Sequence, residues 1–460
     1  MVGKKRENPE DHEQRMKIEV DEGMGEFEDR IEDDMDDGEG EVVIHNDSDE
    51  DNDEAMEEDE EEQEKPEDLP VYLPGRELEE GEELVADLST YDMLHSMNVE
   101  WPCLSFDILQ DKLGNGRTNF PMTCYTVAGS QAPTASENKI YIMKMSMLHK
   151  TKFDDDDEFS DDENEDEDPV LEFKTIAHEG GVNRIRAMPH PEVSIIAAMS
   201  ETGKVNIYDI TTHVDSFDIP GLIPPRDTKP IYTITNHGAY EGYGIDWSSV
   251  QSGHLLTGDG KGRIFLTTKT DSGFITDKTA YTGHKSSIED IQWSPSQGAV
   301  FATCSADQTI KIWDSRTKNK PQLSVHAHDS DVNVISWNSI WDLRTWPQSK
   351  TKTPETAATF NWHKAPITSI DWHPTETSML AVSGADEQLT IWDLALERDE
   401  EEDPLIGIGA GGQQIEVPPQ LLFVHQGQKN IKELHWHKQA PGVIISTAYD
   451  GFNVFKPFNA

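Results

Sequence analysis

Ile310-Lys311-Ile312-Trp313-Asp314 is echoed by Leu389-Thr390-Ile391-Trp392-Asp393, and the likeness extends outward from both pentapeptides. Upstream, Cys304-Ser305-Ala306-Asp307-Gln308-Thr309 stands against Ser383-Gly384-Ala385-Asp386-Glu387-Gln388. Further up, Ile291-Gln292-Trp293-Ser294-Pro295 stands against Ile370-Asp371-Trp372-His373-Pro374. His284 and His363 open the two units. Each runs 30 residues from its histidine to the Asp of the pentapeptide and 20 from its first Trp to its second. Inside a unit, short apolar or alternating runs are broken by Gly, Asp or Asn, the pattern of four short antiparallel strands.

Weaker copies follow the same template. His178 opens one that ends in Ile207-Tyr208-Asp209. His237 opens another with Ile245-Asp246-Trp247 and Asp259 at the turn. His425 opens the last, with Leu434-His435-Trp436 and Val454-Phe455. His328 leads properly into Val332-Asn333-Val334-Ile335-Ser336-Trp337, but Trp341-Asp342 follows four residues later where the strong units have 20. About sixteen residues are therefore absent between Ser339 and Ile340, which reads as a lost exon or a misread gene. The unit at about 328–345 is expected to be incomplete. With six opening histidines, a seventh unit is expected from the region before 178, its strands at 120–127, 139–147 and 169–175. Trp101 to Leu109, with Leu104, Phe106 and Ile108 on one side, is expected to close a ring by pairing with the last unit. Leu84, Leu88 and Tyr91 fall at helical spacing and predict a short helix over 84–97.

The whole pattern resembles the WD-repeat β-propeller family, whose period is about 40–45 residues. The resemblance covers 98–460 and implies an all-β, seven-bladed propeller with a short N-terminal helix. It also implies a hydrogen-bonded chain inside each blade joining the opening His, a strand Ser/Thr, the turn Asp and the strand Trp. Residue by residue, this assigns His284, Asp307 and Trp313 to one blade and His363, Asp386 and Trp392 to another. A buried His or Asp without a partner costs about 1–3 kcal/mol, so such a set is kept or lost together. A catalytic His–Asp pair is the competing reading. Recurrence from blade to blade is what a scaffold produces and an active site does not.

Charge is the second message. The chain has 460 residues, 38 basic and 90 acidic, a net charge of -52. Residues 1–68 hold 32 acids and 7 bases, residues 154–168 hold 12 acids and no base, and residues 397–403 hold 6 acids and one base. What remains has 90 - 50 = 40 acids and 38 - 8 = 30 bases, an ordinary globular balance. The first run, with Phe27 as its one aromatic, has too little apolar content to offset chain entropy and is expected to be a disordered acidic tail. Fully flexible, it would span roughly 45 Å. The second run is expected as a surface loop in the first blade. The third, with Gly407, Gly409, Gly411 and Gly412, is expected as a long acidic and glycine-rich loop over 397–419. Solvation is the plain reading of such runs, but twelve carboxylates in fifteen residues exceed what solubility needs and cost stability by self-repulsion.

Helix, then Val99-Glu100-Trp101-Pro102-Cys103-Leu104-Ser105-Phe106-Asp107, then an acidic loop in the first blade, is narrower than a generic propeller pattern. It resembles the histone-binding subgroup of WD-repeat proteins. The glutamate-rich start, His328 to Trp337, Ser383 to Glu397 and His425 to His437 are similar to the glutamate-rich WD-repeat family, whose fungal counterpart is a ribosome-assembly factor. That resemblance implies a nuclear and nucleolar escort for a basic ribosomal protein of the large subunit, acting with pre-ribosomal assembly factors and with histones as a second client. Shuttling to the cytoplasm and a monomeric state are expected with it. The residues expected to meet the basic partner are Asp154, Asp155, Asp156, Asp157, Glu158, Asp161, Asp162, Glu163, Glu165, Asp166, Glu167 and Asp168. Ser48 and Ser160, each followed by three acids, suit an acid-directed kinase, and a phosphate would add roughly -1.5 to -2 charge at each.

Other functions fit less well. The charge opposes direct docking on bare nucleic acid or an anionic membrane. No stretch approaches 18 apolar residues, and Met1 to Pro9 has no secretory apolar core. Cys103, Cys124 and Cys304 are too few and too scattered for a disulfide scaffold or a cysteine zinc site. His435 and His437, two apart on a strand, lack a further metal ligand. No nucleophile elbow or phosphate loop occurs, so an enzyme is not expected, and no cofactor is implied. The rival reading is a substrate receptor of a cullin-RING ubiquitin ligase, because Trp313-Asp314-Ser315-Arg316 and Trp341-Asp342-Leu343-Arg344 carry the Trp-Asp-x-Arg pattern, with Arg316 and Arg344 as adaptor contacts. A histone-binding chromatin scaffold is the third.

Overall fold

Each repeat unit becomes one antiparallel sheet because its strands are short, alternate in burial and are joined by turns too tight for any other pairing. The structure, a computed structural model, describes residues 87–151, 168–318, 320–337, 359–397, 406–408 and 414–458. These form six four-stranded blades, with strands a to d running from the ring axis outward. Blade 1 is Cys103–Ile108, Met122–Ser130, Lys139–Leu148 and Val170–Ala177. Blade 2 is Val182–Ala187, Ile195–Ser200, Val205–Asp209 and Tyr232–Ile234. Blade 3 is Ile245–Trp247, His254–Gly258 and Arg263–Thr270, with an outer strand in two pieces, Gly273–Thr276 and Tyr281–Thr282. Blade 4 is Ile288–Trp293, Val300–Ser305, Thr309–Asp314 and Leu323–His326, and blade 5 is Ile367–Trp372, Met379–Gly384, Leu389–Asp393 and Leu421–His425. Blade 6 takes Glu433–Trp436, Ile444–Ala448 and Gly451–Pro457 from the end of the chain and Tyr91–Met97 from before blade 1.

Three expectations are corrected here. The propeller has six blades, not seven. The region before 178 supplies the expected sheet, but the unit opened by His328 forms none among its described residues, because it lacks the strand material. Residues 331–337 instead lie along blade 4. Ile335 N–H donates to Asp290 Oδ2 at 3.2 Å, and Trp337 donates its backbone N–H to Gln292 Oε1 at 3.1 Å and its indole N–H to the Gln292 carbonyl at 2.9 Å. The helix over 84–97 is, among described residues, a single 3-10 turn at Leu88–Thr90 capped by Asp87, followed by strand. The one α-helix among the described residues is Thr211–Asp218, between strands c and d of blade 2. Finally, the ring is closed by Tyr91–Met97, which pairs from Tyr91↔Pro457 to Met97↔Phe452, while Cys103–Ile108 is the innermost strand of blade 1. Tyr91, Met93 and Met97 are buried on one side of the closing strand, so tertiary pairing overrides the local helical spacing.

The cores are apolar layers between neighbouring blades. Val127, Ile142, Ile185 and Ile196 fill the layer between blades 1 and 2. Leu256, Ile264, Trp293 and Trp313 fill that between blades 3 and 4, and Leu389, Ile391, Leu434 and Trp436 that between blades 5 and 6. Met93, Phe106, Tyr141 and Phe452 fill the layer where the two ends of the chain meet. Between residues 397 and 419, the strands Ile406–Ile408 and Gln414–Glu416 pair as a small hairpin outside the blades. Met93→Ala empties part of the closing layer and is expected to cost about 2–5 kcal/mol. A lower urea midpoint with an unchanged slope is the signature to look for.

Candidate binding platform

The repeat-defining residues come together as hydrogen-bonded chains. In blade 4, His284 Nδ1 meets Asp307 Oδ2 at 3.0 Å, its Nε2 meets Thr303 Oγ1 at 2.7 Å, and Trp313 Nε1 donates to the same Thr303 oxygen at 2.8 Å. In blade 5, His363 Nδ1 meets Asp386 Oδ1 at 2.9 Å, its Nε2 meets Thr390 Oγ1 at 2.9 Å, and Trp392 Nε1 donates to Thr390 at 2.7 Å. Blade 3 repeats the first half, with His237 between Asp259 at 3.0 Å and Thr257 at 2.8 Å. Burial pushes His284 down to about 4. Burial works against ionisation of Asp307, but hydrogen bonds from Thr309, the Lys285 N–H and His284 outweigh it and hold the carboxylate at about 2. A neutral histidine beside a permanent carboxylate in several blades stiffens turns; among the described residues no substrate-sized cleft adjoins it.

A second polar system, which sequence reasoning missed, runs through the inner strands. Glu433, the first residue of blade 6, is fully buried. Its Oε2 accepts from Ser105 Oγ at 2.7 Å and Phe106 N–H at 2.8 Å, both in blade 1. Its Oε1 accepts from Arg184 and Arg186 of blade 2, each at 2.6 Å. Burial disfavours its charge, but Arg186 and Arg184 outweigh that and hold the carboxyl well below its ordinary range. Beside it, burial disfavours a charged His435, yet Asp371 and Glu433 raise it to about 9. The residue before the inner-strand tryptophan, or its counterpart, links each blade to the next. Asp107 accepts the Ala187 N–H at 2.8 Å, Asp246 the Trp293 N–H at 2.6 Å, and Asp371 the Trp436 N–H at 3.0 Å. The signal was present in Ile245-Asp246-Trp247 and Ile370-Asp371-Trp372, where one polar residue sits between two apolar ones at the same place in each unit.

Topology decides where the acidic segments attach. Inner strands all run the same way, so the a–b and c–d connections share one end of the ring and the b–c and d–a connections the other. Residues 152–167 leave after Thr151 and return at Asp168, in the c–d connection of blade 1. The run 397–403 begins at Glu397, in the c–d connection of blade 5. Tyr91 pairs with Pro457 at the end of strand c of blade 6, so the chain N-terminal to Asp87 also joins at this end. All three acidic runs are therefore tethered to one face. The His–Asp turns of blades 3 to 5 lie on the opposite face.

Of the residues expected to bind a basic partner, Asp168 is described and exposed, while 154–158, 161–163 and 165–167 lie outside the described residues, as do Ser48, Ser160 and Arg344. Arg316 is 77% exposed, on the tethering face, and clasps Asp314 through Nε at 2.8 Å and Nη2 at 2.6 Å. His435 sits in the Glu433 cluster, and His437 lies beyond its strand, with Nδ1 accepting from Gln439 and Ala440 N–H at 3.1 Å. Among the described residues no group of three metal-ligating side chains converges, and no helix is long and apolar enough to cross a membrane.

This architecture defines a WD-repeat β-propeller, a class that presents a rigid ring as a surface for other macromolecules. Residues 276–314 and 354–393 match the "WD domain, G-beta repeat" family, and 81–149 match the family of histone-binding protein RBBP4 and its counterpart in the CAF1 complex. Ribosome assembly protein rrb1 of Schizosaccharomyces pombe is 45% identical over 95% of this chain and 94% of its own length. Protein HEAT STRESS TOLERANT DWD 1 of Arabidopsis thaliana is 43% identical over 85% of this chain and 91% of its own. Glutamate-rich WD repeat-containing protein 1 of Dictyostelium discoideum is 44% identical over 83% of each. The chain belongs to this family of glutamate-rich, ribosome-assembly WD-repeat proteins.

Two tests address the inner network. Glu433→Ala strands two arginines and is expected to cost about 3–5 kcal/mol, measured by chemical denaturation. Burial raises the partly buried Asp246 to about 7 despite the Trp293 N–H and Arg186. The folded state therefore keeps a proton that the unfolded chain loses near pH 4, and stability falls as pH rises from about 4 to 7. Asp246→Asn keeps an oxygen for the Trp293 N–H and removes that fall. Melting temperatures should match the parent near pH 4 and exceed it above pH 7.

Proposed function

We propose that the protein is a non-enzymatic escort in ribosome biogenesis that holds a basic large-subunit ribosomal protein until it reaches pre-ribosomal assembly factors in the nucleus and nucleolus. Histones form a second client class on the same chemistry. The observation that carries this reading is the tethering of three acidic runs, with 50 acids and 8 bases, to a single face of a rigid ring. Basic tails bind indiscriminately to nucleic acid before assembly, and a dense set of carboxylates occupies them first. Each exposed charge contact is weak and screened. Many on one client add avidity, while the ring selects shape. The names of the relatives agree with the assembly role, and the histone-binding match over 81–149 agrees with the second client.

Deleting 1–68 together with 154–168 is expected to weaken binding of a basic ribosomal protein more than tenfold at physiological salt and to flatten its salt dependence, as read by fluorescence titration. Unchanged affinity at every ionic strength overturns the escort reading. The ligase-receptor reading keeps one observation, the exposed and pre-oriented Arg316. Loss of ligase-adaptor binding in Arg316→Ala, with client binding intact, would favour it.

A further inference from the structure

The tethering face carries more than charge. Most of the large apolar side chains left exposed among the described residues lie in or beside its a–b and c–d connections, whereas the connections of the opposite face expose Tyr240 and Tyr449. The densest part is the sector of blades 1 and 2, with Leu113 in the a–b connection of blade 1 and Ile219, Ile223 and Ile231 in the c–d connection of blade 2. Ile223 is 81% exposed. Its loop contains Pro220, Pro224, Pro225 and Pro230, which limit its freedom, so the side chain is presented rather than merely left outside.

The base under the loop is fixed. The helix Thr211–Asp218 is fastened to blade 1 by Lys112 Nζ on Asp215 at 2.8 Å, by Tyr125 Oη and Lys144 Nζ on Asp218 at 2.8 Å each, and by Lys174 Nζ 3.7 Å from the centre of the Phe217 ring. Thr228 Oγ1 meets His213 Nε2 at 3.1 Å and ties the loop back to the helix. Blade 1 is also the blade whose c–d connection holds the run with twelve acids and no base, leaving at Thr151 and returning at Asp168 beside the exposed Val170. A rigid apolar patch next to the attachment of a polyanion fits one kind of partner, a cationic protein that also has apolar surface to cover.

We infer that Leu113, Ile219, Ile223 and Ile231 form the docking patch for the folded or apolar part of a basic protein client, on the face where the acidic runs are tethered. The inference rests on the escort reading and adds the face and the sector. The patch supplies shape selection and the carboxylates supply attraction, so the two contributions separate by mutation and by salt.

The test uses the full chain, immobilised, with two probes offered separately: protein stripped from purified large ribosomal subunits by lithium chloride, and core histones. Leu113→Asp/Ile223→Asp is compared with Tyr449→Asp on the opposite face, all three side chains being exposed so that folding is unaffected, as melting curves verify. The expected result is that the basic protein retained by the unmodified chain is lost at least tenfold in Leu113→Asp/Ile223→Asp and less than twofold in Tyr449→Asp. Retention that survives the double change, or that falls with Tyr449→Asp instead, overturns the patch and leaves the escort reading intact. Failure of the unmodified chain to retain any basic protein from either probe overturns the escort reading and the patch with it.

Discussion

Glu433 is the constraint on which the ring depends. Its two carboxylate oxygens divide their partners between blade 1 and blade 2, so three blades built from opposite ends of the sequence meet on one buried anion. Burying a carboxylate is expensive, and the cost is offset only because four donors converge on it. Each donor is itself tied down. Ser105 Oγ accepts the Ile185 N–H at 3.1 Å, and Arg186 donates to the Phe106 carbonyl at 3.3 Å. The closing strand then seals the outside of the same junction, with Thr447 Oγ1 donating to the Cys103 carbonyl at 2.9 Å further in. Closure is thus ionic at the axis and apolar around it. A propeller joined only by apolar layers would have less to fix which blades become neighbours.

Much of this was legible in the sequence, and what was not has a common cause. The repeat gave the blade strands, because alternation and turn residues are local. It also gave the His–Asp–Trp sets, because their spacing recurs. Tyr91–Met97 was misread because its partner is remote; Ser96 and Asn453 share a hydrogen bond across 357 positions. Glu433 was invisible for the same reason. In Lys432-Glu433-Leu434 it looks like a solvated charge, and Arg184 and Arg186 look like the wet side of a half-buried strand. Blade number failed differently. A histidine and a tryptophan announce a unit, but only strands make a sheet, and the His328 unit retains the announcement without the strands among its described residues. Its Trp337 still makes the inter-blade indole contact that Trp436 makes to Asp371, so the contact outlives the sheet.

The two ends of the ring carry different chemistry. One has the paired His–Asp turns, buried, internally satisfied and fixed in protonation state by burial. Such groups have nothing left to offer a ligand. The other has long connections, a fastened helix, exposed isoleucines and the attachments of the acidic runs. Loops held by a rigid scaffold are where binding residues collect, because they vary without disturbing the core. The division follows from strand direction alone: c–d connections join an inner to an outer strand at the one end, and insertions there point away from the axis without blocking the neighbouring blade.

Burial also separates what holds the protein together from what lets it hold a client. The Glu433 cluster is out of reach of salt, and a buried pair is screened far less than an exposed one. The acidic runs are charge without such shelter, and contacts made by exposed charges fade within about a Debye length, roughly 8 Å at physiological salt. Raising ionic strength therefore loosens a cationic client long before it loosens the ring. An escort needs that order of events. Its cargo must leave when a stronger polyanion, such as ribosomal RNA, competes for the same cations, and the platform must survive the exchange to be used again.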